Sequence, residues 1–302
     1  MLARIRLFLE LIRFSHTLFA LPFALSSAAL AWRDKCREQA FSWRGFALDL
    51  LGIVLCMVFA RSAAMAFNRI ADRHYDAENP RTAARHLPSG KLSLGTVWSF
   101  TLVCATGFVG ATLLFVVSSD NRWPCILSVP TLLFICAYSF AKRFTALVHF
   151  WLGASLLLAP VAAWVAVRGM LHLATSLLLG LAVLFWVAGF DILYACQDVE
   201  FDRKARLASI PARLGVRTSL RVALGCHVIM VTLLLSLFWL PEAGLGWVYL
   251  TGVIAVAGLL AYEHWLVRPD DLSRVNRAFF QVNGVVSLGI FAIVLLQLLV
   301  QA

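Results

Sequence analysis

Long apolar runs constrain this chain more than any other feature of its sequence. Nine stretches of about 18 to 25 residues carry almost no charge, and each is long enough for a helix to cross a hydrocarbon core of about 30 Å. Because the bilayer core offers no water to the backbone, runs of this length predict helices and not barrel strands. The expected fold is an all-α integral membrane protein with nine spans at residues 14–32, 46–67, 94–117, 124–141, 147–167, 173–194, 219–240, 245–266 and 279–300.

The basic residues between these spans are distributed unevenly. With a cytoplasmic N-terminus, 19 Lys and Arg residues lie in inner segments and 6 in outer segments. Positive residues favour the cytoplasmic side, so we predict a multi-pass protein of a bacterial-type inner membrane whose loops 68–93 and 195–218 face the cytoplasm. The net charge of +10 then describes a cytoplasmic face suited to anionic lipids and anionic substrates, with no reason to invoke nucleic acid.

The N-terminal residues allow two interpretations. Residues 1–31 have the basic start, apolar run and small residues of a signal peptide. Residues 1–13 look more like a short basic amphipathic lead-in at the membrane surface, followed by a run long enough to span. We prefer the second interpretation and treat 1–302 as a single membrane domain.

Two of the charged loops share one spacing. The first motif is Asn68-x3-Asp72-x3-Asp76 and the second is Tyr194-x3-Asp198-x3-Asp202. On a continuing helix, side chains four residues apart lie on one face, so each motif is predicted to form a column of oxygen atoms at the cytoplasmic end of a span. A segment containing Pro and Gly follows each motif, "RHLPSGKLS" and "SIPARLGVRTS". The repeated pattern indicates two related halves, followed by extra spans.

Stacked carboxylates repel one another and call for cations. Mg²⁺ prefers oxygen ligands and commonly takes one or two carboxylates together with substrate phosphates. The two motifs therefore predict a diphosphate held through Mg²⁺. The alternative is that these acids only pair with neighbouring arginines in a solvated loop. The occurrence of two motifs with the same spacing favours the metal site over this alternative.

Other charged and polar residues fit the same site. Tyr138 and Lys142 are four apart at the cytoplasmic end of the fourth span, with Arg143 beside them, although basic residues there also serve as membrane anchors. Arg61 and Asp191 each lie within a span, seven residues before Asn68 and Asp198. Charges at such depth usually face a cavity. An ion pair between Arg61 and Asp191 is the structural alternative for both.

The residues quoted above match a known family. "NRIADRHYD" followed by "RTAARHLPSG", then "YSFAKR" and "FDILYACQDVEFDRKA…SIPARLG", resemble the UbiA superfamily of intramembrane aromatic prenyltransferases over essentially the whole chain. The resemblance implies a nine-helix bundle around a central cavity open to lipid. It also implies a reaction in which a polyprenyl diphosphate ionises and its allylic carbocation alkylates an aromatic ring.

Family roles place the Mg²⁺ and diphosphate site at Asn68, Asp72, Asp76, Asp198 and Asp202. Tyr138 and Lys142 fall where the family binds diphosphate, and the first motif begins with Asn-Arg where many relatives have Asn-Asp. From the physical account of the reaction, we further predict substrate contacts for Arg143 and Tyr194. Phe67, Tyr194 and Trp186 are aromatic candidates for stabilising the carbocation, and the proton of the alkylated ring could pass to diphosphate or to Asp191.

The acceptor is an aromatic hydroxy acid, but the resemblance divides between two of them. The overall pattern is that of 4-hydroxybenzoate polyprenyltransferases of ubiquinone synthesis. "FSHTLFALPFAL", "ARSAAMAFNR" and "GFDILYACQDVEFDR" look closer to the menaquinone branch, whose implied acceptor is a dihydroxynaphthoate. In either case Arg61 is predicted to bind the acceptor carboxylate, and His16 in the first span to add a contact. His149 and His172 belong to no metal-spaced cluster in the sequence, and we expect both to be dispensable.

Two other classes of function account for less of the sequence. A secondary transporter also has repeated halves and intramembrane charge, but it does not need D-x3-D twice on one face. A phosphatidyl-alcohol transferase expects its aspartates in one continuous motif of different order. No obligate protein partner is indicated.

Overall fold

The protein is described by a computed structural model that covers residues 7–8, 10–12 and 17–301. The described part of the chain is mostly helical, with connecting turns and loops, and the β pairing that it contains is one isolated bridge between Arg268 and Asp271. The helices are α1 (Thr17–Glu38), α2 (Trp43–Ala71), α3 (Arg73–Glu78), α4 (Leu94–Ser119), α5 (Trp123–Ala141), α6 (Val148–Arg168), α7 (Ala174–Ala195), α8 (Val199–Lys204), α9 (Ile210–Trp239), α10 (Trp247–Leu266) and α11 (Asn283–Gln301). This confirms the predicted all-α class.

Eight helices of the described chain are long and apolar enough to cross a membrane: α2, α4, α5, α6, α7 with α8, α9, α10 and α11 with the turn before it. They coincide with the second to the ninth predicted spans. The first predicted span corresponds to α1, which is not among these eight. Its C-terminal turns carry the charged residues Lys35 and Arg37, so the apolar part of this helix is shorter than the helix itself.

The chain divides into two compact units. Unit 1 contains Ser42–Phe140 and the described residues up to Thr17, and unit 2 contains Leu18–Phe41 and the described residues from Ala141 onward. The first acidic motif therefore lies in unit 1 and the second in unit 2. That the whole chain acts as one domain stays a prediction.

Unit 1 is built on the packing of α2 against α4. A Cβ atom at Gly52 would lie 2.7 Å from the ring of Phe115, so the missing side chain allows the two helices to approach. At the other end of the pair, Ala66, Val97 and Leu11 form a small apolar core. Close backbone approach at small residues is the usual way in which helices associate in lipid, where no hydrophobic effect drives them together.

Unit 2 is built on α7, which packs against α6 and α9. A Cβ atom at Gly153 of α6 would collide with the backbone carbonyl of Leu184, so only glycine permits this crossing. Trp186 at the centre of α7 is fully buried. Its indole N–H donates to Asn283 Oδ1 over 2.7 Å, and the amide nitrogen of Asn283 donates to Glu263 Oε1 over 2.7 Å. These two bonds join α7, α10 and α11 in the apolar interior.

Candidate active site

The two acidic motifs share a backbone break at their middle aspartate. Asp72 lies between α2 and α3 with φ −92° and ψ 5°, and Asp198 lies before α8 with φ −103° and ψ 6°. The sequence predicted a continuing helix through each motif, and this expectation is wrong at these two positions. Such dihedral angles fall in the sparsely populated bridge region, where many active-site residues lie. The equal spacing therefore corresponds to an equal conformation, as expected for two related halves.

The first motif is held by hydrogen bonds and ion pairs within unit 1. The amide nitrogen of Asn68 donates to Asp72 Oδ2 over 2.8 Å and to Ser139 Oγ over 3.4 Å. Asp76 is buried, and its Oδ1 lies 2.6 Å from an Arg85 guanidinium nitrogen. Arg69 is farther away, at 4.0 Å from Asp76 Oδ2, and that buried oxygen has no hydrogen-bond partner in the described part of the chain.

The second motif is anchored inside unit 2. Asp202 is 0% exposed; its Oδ2 accepts a hydrogen bond from Ser209 over 2.8 Å, and its Oδ1 lies 2.7 Å from Lys142 Nζ. The backbone N–H of Ala208 donates to the Lys142 carbonyl over 2.7 Å. The ion pair of Asp202 and the backbone hydrogen bond of Ala208 thus attach the second motif and the segment after it to Lys142, between α5 and α6. Lys142 was predicted from its position at a helix end, and the sequence did not indicate its pairing with Asp202.

The segments that follow the motifs also correspond. Gly90 has φ 72° and Gly215 has φ 76°, a region that side-chain-bearing residues rarely occupy. Gly215 interrupts α9 between its first turn and its long apolar part. Each Pro/Gly segment predicted from the sequence therefore contains one glycine that the backbone conformation requires.

Asp191 lies within α7, where the sequence placed an intramembrane charge. Its partner is His149 at the start of α6: His149 Nδ1 is 2.7 Å from Asp191 Oδ2. The imidazole is almost fully buried, whereas the carboxylate is 19% exposed. Sequence reasoning missed this partner because 42 residues separate the pair and no regular spacing links them. The feature of the sequence that could have pointed to this partner is the single histidine at the start of an apolar span.

Arg61 is on α2, within a predicted span. Its Nε atom is buried and makes no hydrogen bond with any described residue. A guanidinium nitrogen that is buried without such a partner is costly unless a ligand or another charge meets it. This burial agrees with the predicted role in holding an anion.

The remaining predicted site residues occupy varied environments. Tyr138 on α5 and Tyr194 on α7 are half-buried, and Arg143 is exposed. His16 lies outside the described residues. Their roles stay predictions.

The two other aromatic candidates pack within their own units. Phe67 packs edge-to-face with Trp98 and Phe140. Trp186 packs against Phe23 and Phe190 in the core of unit 2. With 0% of its surface exposed, Trp186 supports the packing of α7, which makes it a poor candidate for contact with a carbocation.

A separate group of possible ligand atoms lies at the other end of unit 2. Carboxylate oxygens of Asp34 and Glu38 and a ring nitrogen of His172 lie within 4.8 Å of one another. The guanidinium group of Arg168 is 2.8 Å from each carboxylate. The arginine offsets one of the two negative charges, and the contacts of Arg168 and His172 tie the C-terminal end of α6 and the following loop to the C-terminal end of α1.

Comparison with known proteins shows the family and the fold of the chain. The model of the UbiA prenyltransferase family matches residues 18–285. The 4-hydroxybenzoate octaprenyltransferase of Tolumonas auensis is 34% identical over 239 residues, which cover 78% of this chain and 80% of that protein. A solved UbiA homolog from Aeropyrum pernix K1 superposes with a TM-score of 0.76 at 28% identity, over 95% of this chain and 98% of that one.

A second solved structure shares the fold at lower identity. It is a UbiA homolog from Archaeoglobus fulgidus bound to DMAPP and Mg²⁺, with a TM-score of 0.69 and 19% identity, over 97% of this chain and 99% of the other. An all-helical membrane protein whose sequence matches a prenyltransferase family over residues 18–285 belongs to the class of membrane-embedded transferases. The chain belongs to the UbiA prenyltransferase family. It is a polyprenyltransferase, which removes the transporter and phosphatidyl-transferase alternatives.

Proposed function

We propose that the protein transfers a polyprenyl group from a polyprenyl diphosphate to a carboxylated aromatic acceptor, in a Mg²⁺-dependent reaction of ubiquinone or menaquinone synthesis. The observation that carries this proposal is the duplicated acidic motif, with the same spacing and the same backbone break at Asp72 and Asp198. Membership of a prenyltransferase family supports the reaction class.

The donor set fits Mg²⁺. The predicted ligands Asn68, Asp72, Asp76, Asp198 and Asp202 offer oxygen atoms, which this ion prefers. Asn68 uses its amide nitrogen for both of its hydrogen bonds, and the buried Asp76 Oδ2 has no hydrogen-bond partner among the described residues. Both features suit a cation. The Archaeoglobus fulgidus relative was solved with Mg²⁺, and when bound here the ion would neutralise charge on the leaving diphosphate.

The basic and phenolic residues near the motifs complete the proposed diphosphate site. Lys142 Nζ lies 2.7 Å from a carboxylate oxygen of Asp202, so a diphosphate bound at Asp202 would be beside a fixed positive charge. Arg143 and Tyr138 supply a second cation and a hydroxyl donor. Such charges act most strongly where water is excluded, because they stabilise the negative charge that develops as the carbon–oxygen bond breaks.

The proposed acceptor site rests on Arg61. A carboxylate entering an apolar cavity loses its hydration, and a guanidinium group replaces it with charge-assisted hydrogen bonds. The buried Nε atom of Arg61 supports this role, and His16 is proposed as an additional contact. Relatives named 4-hydroxybenzoate octaprenyltransferase favour a benzoate, whereas the three sequence segments noted above favour 1,4-dihydroxy-6-naphthoate, which we propose as the better acceptor.

The proposed location follows from the charge distribution. The N-terminus and both acidic motifs are placed on the cytoplasmic side of a bacterial-type inner membrane, where soluble acceptors and diphosphates are available. The whole chain is proposed to act as one domain, with the bilayer supplying the prenyl donor to an apolar cavity.

Product analysis with purified protein tests this function. The protein in detergent is incubated with Mg²⁺, one polyprenyl diphosphate, and 4-hydroxybenzoate and 1,4-dihydroxy-6-naphthoate in competition. We expect prenylated product, loss of activity with EDTA, and a higher kcat/KM for the naphthoate. A clear preference for the benzoate would reverse the acceptor assignment, and the absence of product with either acid would contradict the proposed substrate class.

A further inference from the structure

The hydrogen bond between His149 and Asp191 goes beyond the roles assigned so far. The histidine Nδ1 atom and the carboxylate Oδ2 atom are 2.7 Å apart, a distance typical of a strong, charge-assisted bond. The two residues come from the start of α6 and the C-terminal half of α7. Neither residue is a proposed metal ligand.

A second contact determines the tautomer of the imidazole. The backbone N–H of Ile210 points at His149 Nε2, with a nitrogen–nitrogen distance of 3.4 Å. A backbone N–H can only donate, so Nε2 must present its lone pair. The single proton of the neutral ring therefore lies on Nδ1 and is donated to Asp191. The tautomer of a histidine is set by the hydrogen bonds of its ring nitrogens, and in His149 both nitrogens are engaged.

Burial assigns different tasks to the two groups. His149 has 2% of its side chain exposed and Asp191 has 19%. The imidazole is thus enclosed by protein, while part of the carboxylate is open to a ligand. Asp191 can contact a substrate, and His149 acts through Asp191.

We propose that His149 is a positioning residue that holds Asp191 as the acceptor of the proton released by the aromatic ring, an inference that rests on the proposed function. In that reaction a bond forms between the allylic carbon of the prenyl group and a ring carbon. The bond between that allylic carbon and the diphosphate oxygen breaks, and its electron pair leaves with the diphosphate. The C–H bond of the alkylated ring carbon then breaks, its electrons restore aromaticity, and its proton goes to an oxygen of Asp191.

The contact with Ile210 also connects this dyad to the second acidic motif. Ile210 directly follows Ser209, whose hydroxyl donates to Asp202. One short segment therefore holds both the imidazole and a proposed metal ligand. This coupling gives a role to a buried histidine that composition and spacing alone class as structural, and it replaces the expectation from the sequence that His149 is dispensable.

An isotope experiment separates this role from simple structural support. The acceptor is deuterated at the ring carbon that is alkylated, and kcat is measured for the wild type, Asp191→Asn, His149→Ala and His149→Gln. We expect Asp191→Asn to lower kcat by about 100-fold or more, the usual scale for losing a general base. In Asp191→Asn and His149→Ala, proton removal becomes slower, so the primary deuterium isotope effect on kcat rises above the wild-type value. KM for the prenyl diphosphate stays unchanged.

The conservative variant and a matched control sharpen the result. The side-chain amide of His149→Gln can donate to Asp191, so this variant should recover part of the lost rate. His172→Ala removes a different histidine–aspartate contact, with Asp34 at 3.2 Å, and should leave kcat and the isotope effect unchanged.

Two outcomes would overturn the proposal while leaving the proposed function intact. One is a His149→Ala enzyme with wild-type kcat. The other is a reduced kcat in Asp191→Asn and His149→Ala with no increase in the isotope effect. Failure of the wild-type enzyme to form any product would instead contradict the proposed function itself.

Discussion

The two acidic motifs have one backbone conformation but two different anchors. In both, the middle aspartate lies at a break and the third aspartate is buried beside a cation. Asp76 takes its cation from Arg85, nine residues along the chain. Asp202 takes its cation from Lys142, which is 60 residues away in sequence.

This difference separates what the repeat fixes from what each half supplies. The shared spacing is accompanied by a shared backbone conformation at the middle aspartate and by burial of the third carboxylate. The cation beside the third aspartate comes from the following loop in unit 1 and from the earlier segment between α5 and α6 in unit 2. The intramembrane charges of the two halves also differ in sign: Arg61 lies seven residues before the first residue of the first motif, and Asp191 lies seven residues before the middle residue of the second. The proposed roles follow these charges: Arg61 would hold an anion, and Asp191 would accept a proton.

The largest expected effect tests whether both motifs contribute to one reaction. Asp72→Asn and Asp198→Asn should each lower turnover by about 100-fold or more, because each removes a main stabiliser of transition-state charge. Prenyl transfer by purified variants measures this. Asp270→Asn, in the exposed segment between α10 and α11, serves as the control. Near-normal turnover in either motif variant would show that the motifs are not equivalent.

The next test compares the two anchors. Lys142→Ala leaves the fully buried Asp202 without its cation, and we expect a loss of stability toward the lower end of about 3–5 kcal/mol, since Lys142 is 33% exposed. KM for the prenyl diphosphate should also rise. Arg85→Ala should cost less because Arg69 remains near Asp76. Thermal unfolding in detergent and steady-state kinetics measure both effects.

A double variant distinguishes charge from packing. Adding Asp202→Asn to Lys142→Ala should restore thermal stability without restoring activity, because the buried charge is gone but so is a proposed ligand. If Lys142→Ala leaves stability, turnover and KM unchanged, the lysine is only a membrane anchor.

Arg61 gives the third test, which concerns the anion site proposed for the first half. Arg61→Ala should raise the acceptor KM by about 10- to 100-fold, the equivalent of about 1.5–3 kcal/mol for a hydrogen bond to a charged group. KM for the prenyl diphosphate should not change. The acceptor KM of Arg61→Lys should lie between those of the wild type and Arg61→Ala, because an ammonium group keeps the charge and loses the bidentate geometry. An unaltered acceptor KM in Arg61→Ala would remove this anchor.

The smallest expected effects concern Gly90 and Gly215, the positive-φ glycines of the two Pro/Gly segments. Gly215→Ala and Gly90→Ala should each lower stability by about 1–2 kcal/mol, because alanine is strained in this region. Gly225→Ala, within α9 and with open space around its Cβ position, should be neutral or slightly stabilising. Thermal unfolding of the three variants provides the comparison. Equal stability in all three would show that the backbone at Gly90 and Gly215 does not require glycine.

Local patterns made much of the fold predictable. The apolar runs located the helices, because a helix that spans a bilayer must be long and uniformly apolar. The repeated four-residue spacing around Asp72 and around Asp198 located both motifs. The breaks at these aspartates could not be predicted, since no proline or glycine marks them. The partners His149 for Asp191 and Lys142 for Asp202 were also missed. Both pairs depend on how helices pack, and a residue spacing within one segment does not report that.

The bonds from Trp186 to Asn283 and from Asn283 to Glu263 have a consequence for how α11 docks. An indole N–H only donates, so the amide of Asn283 has one possible orientation, with its oxygen toward α7 and its nitrogen toward α10. The apolar faces of a helix in lipid do not by themselves distinguish one rotation from another. This directional chain does, since turning α11 about its axis would break both bonds at once. Asn283 thereby fixes the rotation of a mostly apolar helix about its axis.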